Sequence, residues 1–106
     1  MMFMTIQASW TDEAVLAELG RRVQAHRLAR NVTQGQLAEE AGLSVPTLQR
    51  LEAGASVQLA SLLRVLRVLD RLDRLEAVLP ADPVRPLALL KPHRLGRQPT
   101  RGASNR

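Results

Sequence analysis

Few side chains in this sequence have the chemistry of a catalyst. There is no cysteine, which removes thiolate nucleophiles, disulfides and cysteine-based zinc sites. His26 has no second ligand beside it at metal spacing, and His93 sits in a Pro/Arg-rich tail, so both read as surface histidines. No Gly-rich phosphate loop occurs, and the acids lie beside arginines on helical stretches. These absences argue against an enzyme, a metal and a cofactor. What remains is arginine. The chain's 106 residues include 15 Lys and Arg against 10 acids, for a net charge of +5. Residues 1–82 hold nine Arg and ten acids (−1), whereas residues 83–106 hold five Arg, one Lys and no acid (+6). A basic tail beside a near-neutral body suggests an anionic partner, nucleic acid above all; a solubilising end is the alternative.

The elements that must position these side chains are helices. Leu, Ala and Arg dominate, and Phe3 and Trp10 are the only aromatic residues, so an all-α fold with an aliphatic core is expected. Met1–Ser9 is a lead in which Phe3, Thr5 and Gln7 alternate with Met4 and Ile6, a weak strand signal. It lacks the basic start and long apolar run of a signal peptide or membrane span, and a cytoplasmic protein is expected. Thr11 is an N-cap, Trp10 and Val15 can staple it, and Leu16, Leu19, Val23 and Leu28 carry a first helix to about Ala29. Thr33 and Gln36 form a capping box ahead of a short helix, Gln34–Ala41, which Gly42 ends. Ser44 caps a third helix running to about Ala53, with Pro46 in its first turn and Gly54 as its stop. A fourth starts near Gln58 with Leu59, Leu62, Leu63, Leu66 and Leu69 on its inward face. Asp70 then either caps a fifth helix, Arg71–Leu79, or lies inside a longer fourth one, and prolines from Pro80 onward end helical structure. The expected organisation is a lead (1–10), one domain (11–80) and a flexible Pro/Arg-rich tail (81–106), of which 91–106 reads as disordered.

The segment Thr33–Gly54 reads TQGQLAEEAGLSVPTLQRLEAG. Two helices packed across a tight turn need an apolar and a small residue on the first (Leu37, Ala38) and a residue tolerant of positive φ in the turn (Gly42). They also need an apolar plug at the corner (Leu43) and inward anchors three apart on the second (Leu48, Leu51). All of these occur at fixed spacing in one window, with the motif spanning Gln34–Ala53. Over roughly Leu19–Leu69 the chain resembles the Xre/Cro family of phage and bacterial repressors, in its Thr-Gln opening, Leu37-Ala38, Ala41-Gly42 and Leu51-Glu52-x-Gly54. The resemblance implies a five-helix Cro/repressor-like domain that binds double-stranded operator DNA as a homodimer, its second motif helix in the major groove. By position, Val45, Pro46, Thr47, Gln49 and Arg50 would face bases, Arg50 being suited to guanine O6 and N7. Thr33, Gln34, Ser44, Arg27 and Arg30 would face phosphate. Two departures stand out: Gly35 weakens the first motif helix, and Val45 and Pro46 have no side-chain donor, which narrows base readout.

Residues 58–79 carry too much leucine and valine for one inward stripe. Val65, Val68, Leu72, Leu75 and Leu79 form a second stripe, a candidate dimer seam; the alternative is a fifth helix that folds back and buries both. Arg64, Arg67, Arg71 and Arg74 read as a solvated face. The run LPADPVRPLALL and the basic tail after it resemble HipB-like antitoxins of HipA-type kinase toxins. That likeness implies an autorepressor of a toxin–antitoxin operon that also holds a kinase partner, with Pro86–Leu90 suited to a docking peptide; added phosphate contacts in the DNA complex are the alternative role for the tail. A protein-interaction adaptor that binds such a partner without specific DNA binding is the alternative function.

Overall fold

The computed structural model describes residues 5–83. The features expected in residues 1–4 and 84–106, including the Pro86–Leu90 peptide, the disordered tail and part of the N-terminal strand signal, lie outside them. Five α-helices and no strand occur among the described residues: α1 (Asp12–Ala29), α2 (Gln34–Ala41), α3 (Val45–Glu52), α4 (Leu59–Val68) and α5 (Leu75–Val78). The chain divides into two compact units, Met1–Arg74 and Leu75–Arg106.

Each motif helix starts where a side chain replaces the missing backbone acceptors. Thr11 accepts from the Ala14 amide at 3.1 Å. Thr33 accepts from Gln36 N at 3.0 Å while the Gln36 side chain accepts from Thr33 N at 2.8 Å, closing the capping box. Ser44 accepts from Thr47 N at 3.2 Å. Asn31 (φ 64°) turns the chain after α1, and Gly42 (φ 72°, ψ 31°) ends α2 in the left-handed region, where glycine bears no Cβ penalty.

The core joins α1 to α4. Leu37, Leu48 and Val65 are fully buried, and Val23, Ala38, Ala41, Leu51 and Leu69 surround them. α1 packs on α3, and α2 packs on both α3 and α4. The α1–α3 crossing is unusually close. A Cβ on Gly20 would stand 2.6 Å from the Glu52 carbonyl oxygen and collide with that of Leu51, and one on Gly54 would meet Ala17 Cα at 2.9 Å. Backbone therefore touches backbone at the point where α3 ends.

Several expectations change. The inward line of α1 is Gly20, Val23 and Arg27, so Leu28, about 140° further round from Val23, is 58% exposed. The inward line of α4 is Leu62, Val65 and Leu69, with Val68 beside it, and Leu59 is 70% exposed. Val65 therefore belongs to the core and is not available to a dimer seam. Asp70 neither caps a fifth helix nor extends the fourth: it takes a left-handed conformation (φ 60°) and ends α4. A single 3-10 turn follows at Leu72–Arg74. In the second unit, the one-turn helix α5 leaves Leu75, Val78 and Leu79 exposed.

Glu18 is buried on α1, where its carboxylate accepts from Arg22 Nε at 2.9 Å and from Arg21. The hydrogen bonds from Arg22 and then Arg21 outweigh burial and hold its pKa below the usual 4.5.

Two predictions follow from these contacts. Gly20→Ala is expected to lower stability by about 1–3 kcal/mol because backbone carbonyls block the added methyl, whereas Gly35→Ala, with only Thr33 Oγ1 at 3.8 Å, is expected to raise it by roughly 0.5–1 kcal/mol. Urea denaturation of both variants reads the opposite signs. Glu18 contributes stability above the unfolded value near 4.5 and loses it as pH falls through its lower folded value. Glu18→Gln is therefore expected to melt below the parent at pH 7, with the gap closing in acid when melting temperatures are compared across pH.

Candidate nucleic-acid interface

α3 is amphipathic by necessity of its length. Leu48 and Leu51 anchor it in the core, which turns Val45, Pro46, Gln49 and Arg50 outward on one exposed face, with Thr47 half-buried at its edge. These are the five residues expected to face bases, and the structure brings them together on one helix face. Arg50 Nη2 donates to the Ser56 carbonyl at 2.7 Å, which holds the guanidinium over an open hollow lined by Thr47, Arg50, Ser56, Val57, Gln58 and Ser61. Thr47 Oγ1 shares a 2.9 Å hydrogen bond with Ser44 Oγ. Val45 and Pro46 offer only apolar surface, suited to a thymine methyl.

Beneath this face lies a buried ion pair. Arg27 Nε donates to Glu52 Oε2 at 2.7 Å and Nη2 donates to Oε1 at 3.1 Å, while Nη1 donates to the Val32 carbonyl at 3.0 Å. The two side chains are 9% and 3% exposed. The Glu52 hydrogen bond raises the Arg27 pKa further, against the opposing effect of burial. Gln34 Nε2 also donates to Glu52 Oε1, at 3.0 Å, and Gln34 Oε1 accepts from Gln49 Nε2 at 3.4 Å. A carboxylate only accepts, so the orientation of the Gln34 amide is dictated by Glu52. One acid thus ties the end of α1, the start of α2 and the end of α3.

This network corrects the phosphate set. Arg27 is buried with its donors committed, so it cannot reach a phosphate. The Gln34 side chain is turned to Glu52 and Gln49, which leaves its backbone amide and that of Gly35 as the first-turn donors that no capping contact uses. Thr33 and Ser44 are engaged as caps. Arg30 keeps an exposed guanidinium, 3.8 Å from Asp70. Reasoning from sequence assigned no role to Glu52 or Gly20. Glu52 stood inside the motif, but its partner lies 25 residues away, beyond any local spacing rule. The Glu18 cluster carried a readable signal in its i,i+3 and i,i+4 arginines.

Among the described residues no group of His, Asp and Glu is placed to hold a metal, and no helix is long and apolar enough to cross a membrane. A family model described as helix-turn-helix matches residues 23–76, half of the chain. No curated protein matches it. The chain belongs to the Xre/Cro-type helix-turn-helix family and is a DNA-binding transcription regulator.

Removing one partner of the buried pair leaves an uncompensated charge. Arg27→Met alone is expected to cost about 3–5 kcal/mol, and Arg27→Met with Glu52→Leu to recover much of that, a non-additivity read from a denaturation double-mutant cycle.

Proposed function

We propose that this helix-turn-helix regulator is a sequence-specific repressor whose α3 enters the major groove of its operator. The observation that carries the reading is the outward face of Val45, Pro46, Gln49 and Arg50, held by core anchors on one side and the Glu52 network on the other. Arg50 reads guanine through its planar fork, exchanging the Ser56 carbonyl for O6 and N7. Gln49, whose Nε2 donates to Gln34, has its carbonyl oxygen left to accept from a base, and Thr47 and Val45 meet the neighbouring base edges. Arg30 and the free amides of Gln34 and Gly35 receive phosphate, with Thr33 and Ser44 fixing the loops beside it.

The repressor acts as a homodimer, as two-fold operators require of a single reading helix. With Val65 in the core and Val68 packed on it, the seam reduces to half-buried Leu72 and, in the second unit taken by itself, to Leu75 and Leu79, whose exposure supports this assignment. The finer role is antitoxin and autorepressor beside a HipA-type kinase toxin. It is supported by the Pro/Leu run and basic tail that follow a leucine-rich α4.

Fluorescence anisotropy against the chain's own promoter region, at two salt concentrations and with scrambled DNA as control, tests the reading. Selective binding that weakens steeply with salt is expected. Arg50→Ala is expected to lose ~1–3 kcal/mol on the selective sequence and to relax one base position. Equal affinity for scrambled DNA, or an unaltered Arg50→Ala variant, removes α3 as the reading helix. Absent binding leaves the adaptor function.

A further inference from the structure

α4 carries more leucine than its core contact uses. Leu62, Val65, Val68 and Leu69 face or pack on the core. Leu59, Leu63 and Leu66 lie on another stripe, about 100–160° round the helix from Val65. Leu59 is 70% exposed, and Leu63 and Leu66 are half-buried and stand outside the core-packed set. Their spacing, four then three, is that of a helix-to-helix seam. Arg67 follows Leu63 by one turn, at the flank of this ridge. Arg67, Arg71 and Arg74 are exposed, and among the described residues they pair with no acid. Asp70, next to Arg71 in the chain, faces Arg30 at 3.8 Å.

Charge decides what can cover such a ridge. The chain's own residues 84–106 hold five Arg, one Lys and no acid, so they add to the positive field. A second copy would bring the same patch against itself, and α4 contains two arginines and no acid. Duplex DNA neutralises arginine but has no use for a leucine ridge. An apolar stripe flanked by acids satisfies both features.

We propose that the outer face of α4, the Leu59–Leu63–Leu66 ridge flanked by Arg67, docks an acidic amphipathic helix of a partner protein. The face is distinct from the outward face of α3, so occupancy is compatible with an exposed reading helix, and the inference does not rest on operator binding. It gives the partner's chemistry: leucine-type side chains at seam spacing, with Glu or Asp beside them to meet Arg67.

The test uses the full ¹⁵N-labelled chain and two synthetic probe helices of about 21 residues, long enough to hold helical structure. Both have leucine at the seam positions; one has glutamate elsewhere and the other lysine. The glutamate helix is expected to shift the amides of residues 59–67 and leave Val45–Arg50 unmoved, and the lysine helix to bind far more weakly. Leu63→Glu, at a half-buried position whose melting curve checks folding, is expected to weaken binding roughly tenfold or more by removing apolar contact; Leu59→Glu, at a position 70% exposed, is the variant that leaves the fold untouched and is expected to weaken it in the same direction. Arg67→Glu is expected to weaken the glutamate helix about two- to fivefold, the worth of an exposed ion pair, and to favour the lysine one. Shifts centred on Val45–Arg50, equal binding of the two probes, or an unchanged Leu63→Glu variant would each overturn the proposal. So would sedimentation showing that the free chain self-associates through this face and that Leu63→Glu abolishes it, which makes a second copy the occupant.

Discussion

The Arg27–Glu52 pair is the constraint on which the outward face of α3 depends. Burying two charges is costly, and a lone pair in a protein interior often contributes little net stability. Here the pair is satisfied in nearly every direction: two hydrogen bonds join the partners, Val32 accepts a third from the guanidinium, and Gln34 donates to the carboxylate. Its geometric effect exceeds its energetic one. Three helix ends meet at one carboxylate, so the angle between α2 and α3 is fixed by directional bonds as well as by packing. Apolar side chains alone tolerate repacking, whereas a bidentate arginine tolerates little.

The close crossing of α1 and α3 serves the same end. Gly20 lets α1 press against the carbonyls of Leu51 and Glu52, and Gly54 lets the chain leave α3 against Ala17. This contact places Arg27, nearly two turns beyond Gly20, at the depth where it meets Glu52. A methyl at position 20 acts on the ion pair through the backbone, not only on packing. The Gly42 turn then sets the direction in which α3 leaves α2, and the caps at Thr33 and Ser44 satisfy amides at the helix starts that have no intrahelical acceptor.

α4 divides its work. One face completes the core with Val65 and Leu69, and the opposite side shows leucine and arginine to solvent. A chain selected only for a stable domain has no use for the second set. α3 presents polar and apolar groups suited to nucleic acid, while α4 presents a ridge suited to protein.

Whatever depends on neighbours three or four residues apart was legible along the chain. Thr11, Thr33 with Gln36, Ser44 and Gly42 placed the first three helices, and the anchors Leu37, Leu48 and Leu51 marked the motif. Capping and amphipathic spacing are local physics, legible along the chain. That Arg27 points inward and Leu28 outward emerged from packing alone, because a charge goes inside only where a partner, here 25 residues away, compensates it. Packing also chose Val65 over Leu59 for the core, since α4 is apolar on two sides and periodicity cannot rank them. Asp70 ended α4 through a left-handed backbone that an aspartate tolerates but does not announce. Gly20 stayed silent and Glu52 showed only as part of the motif pattern, not as an ion partner, for the same reason: their meaning lies in which helix they touch.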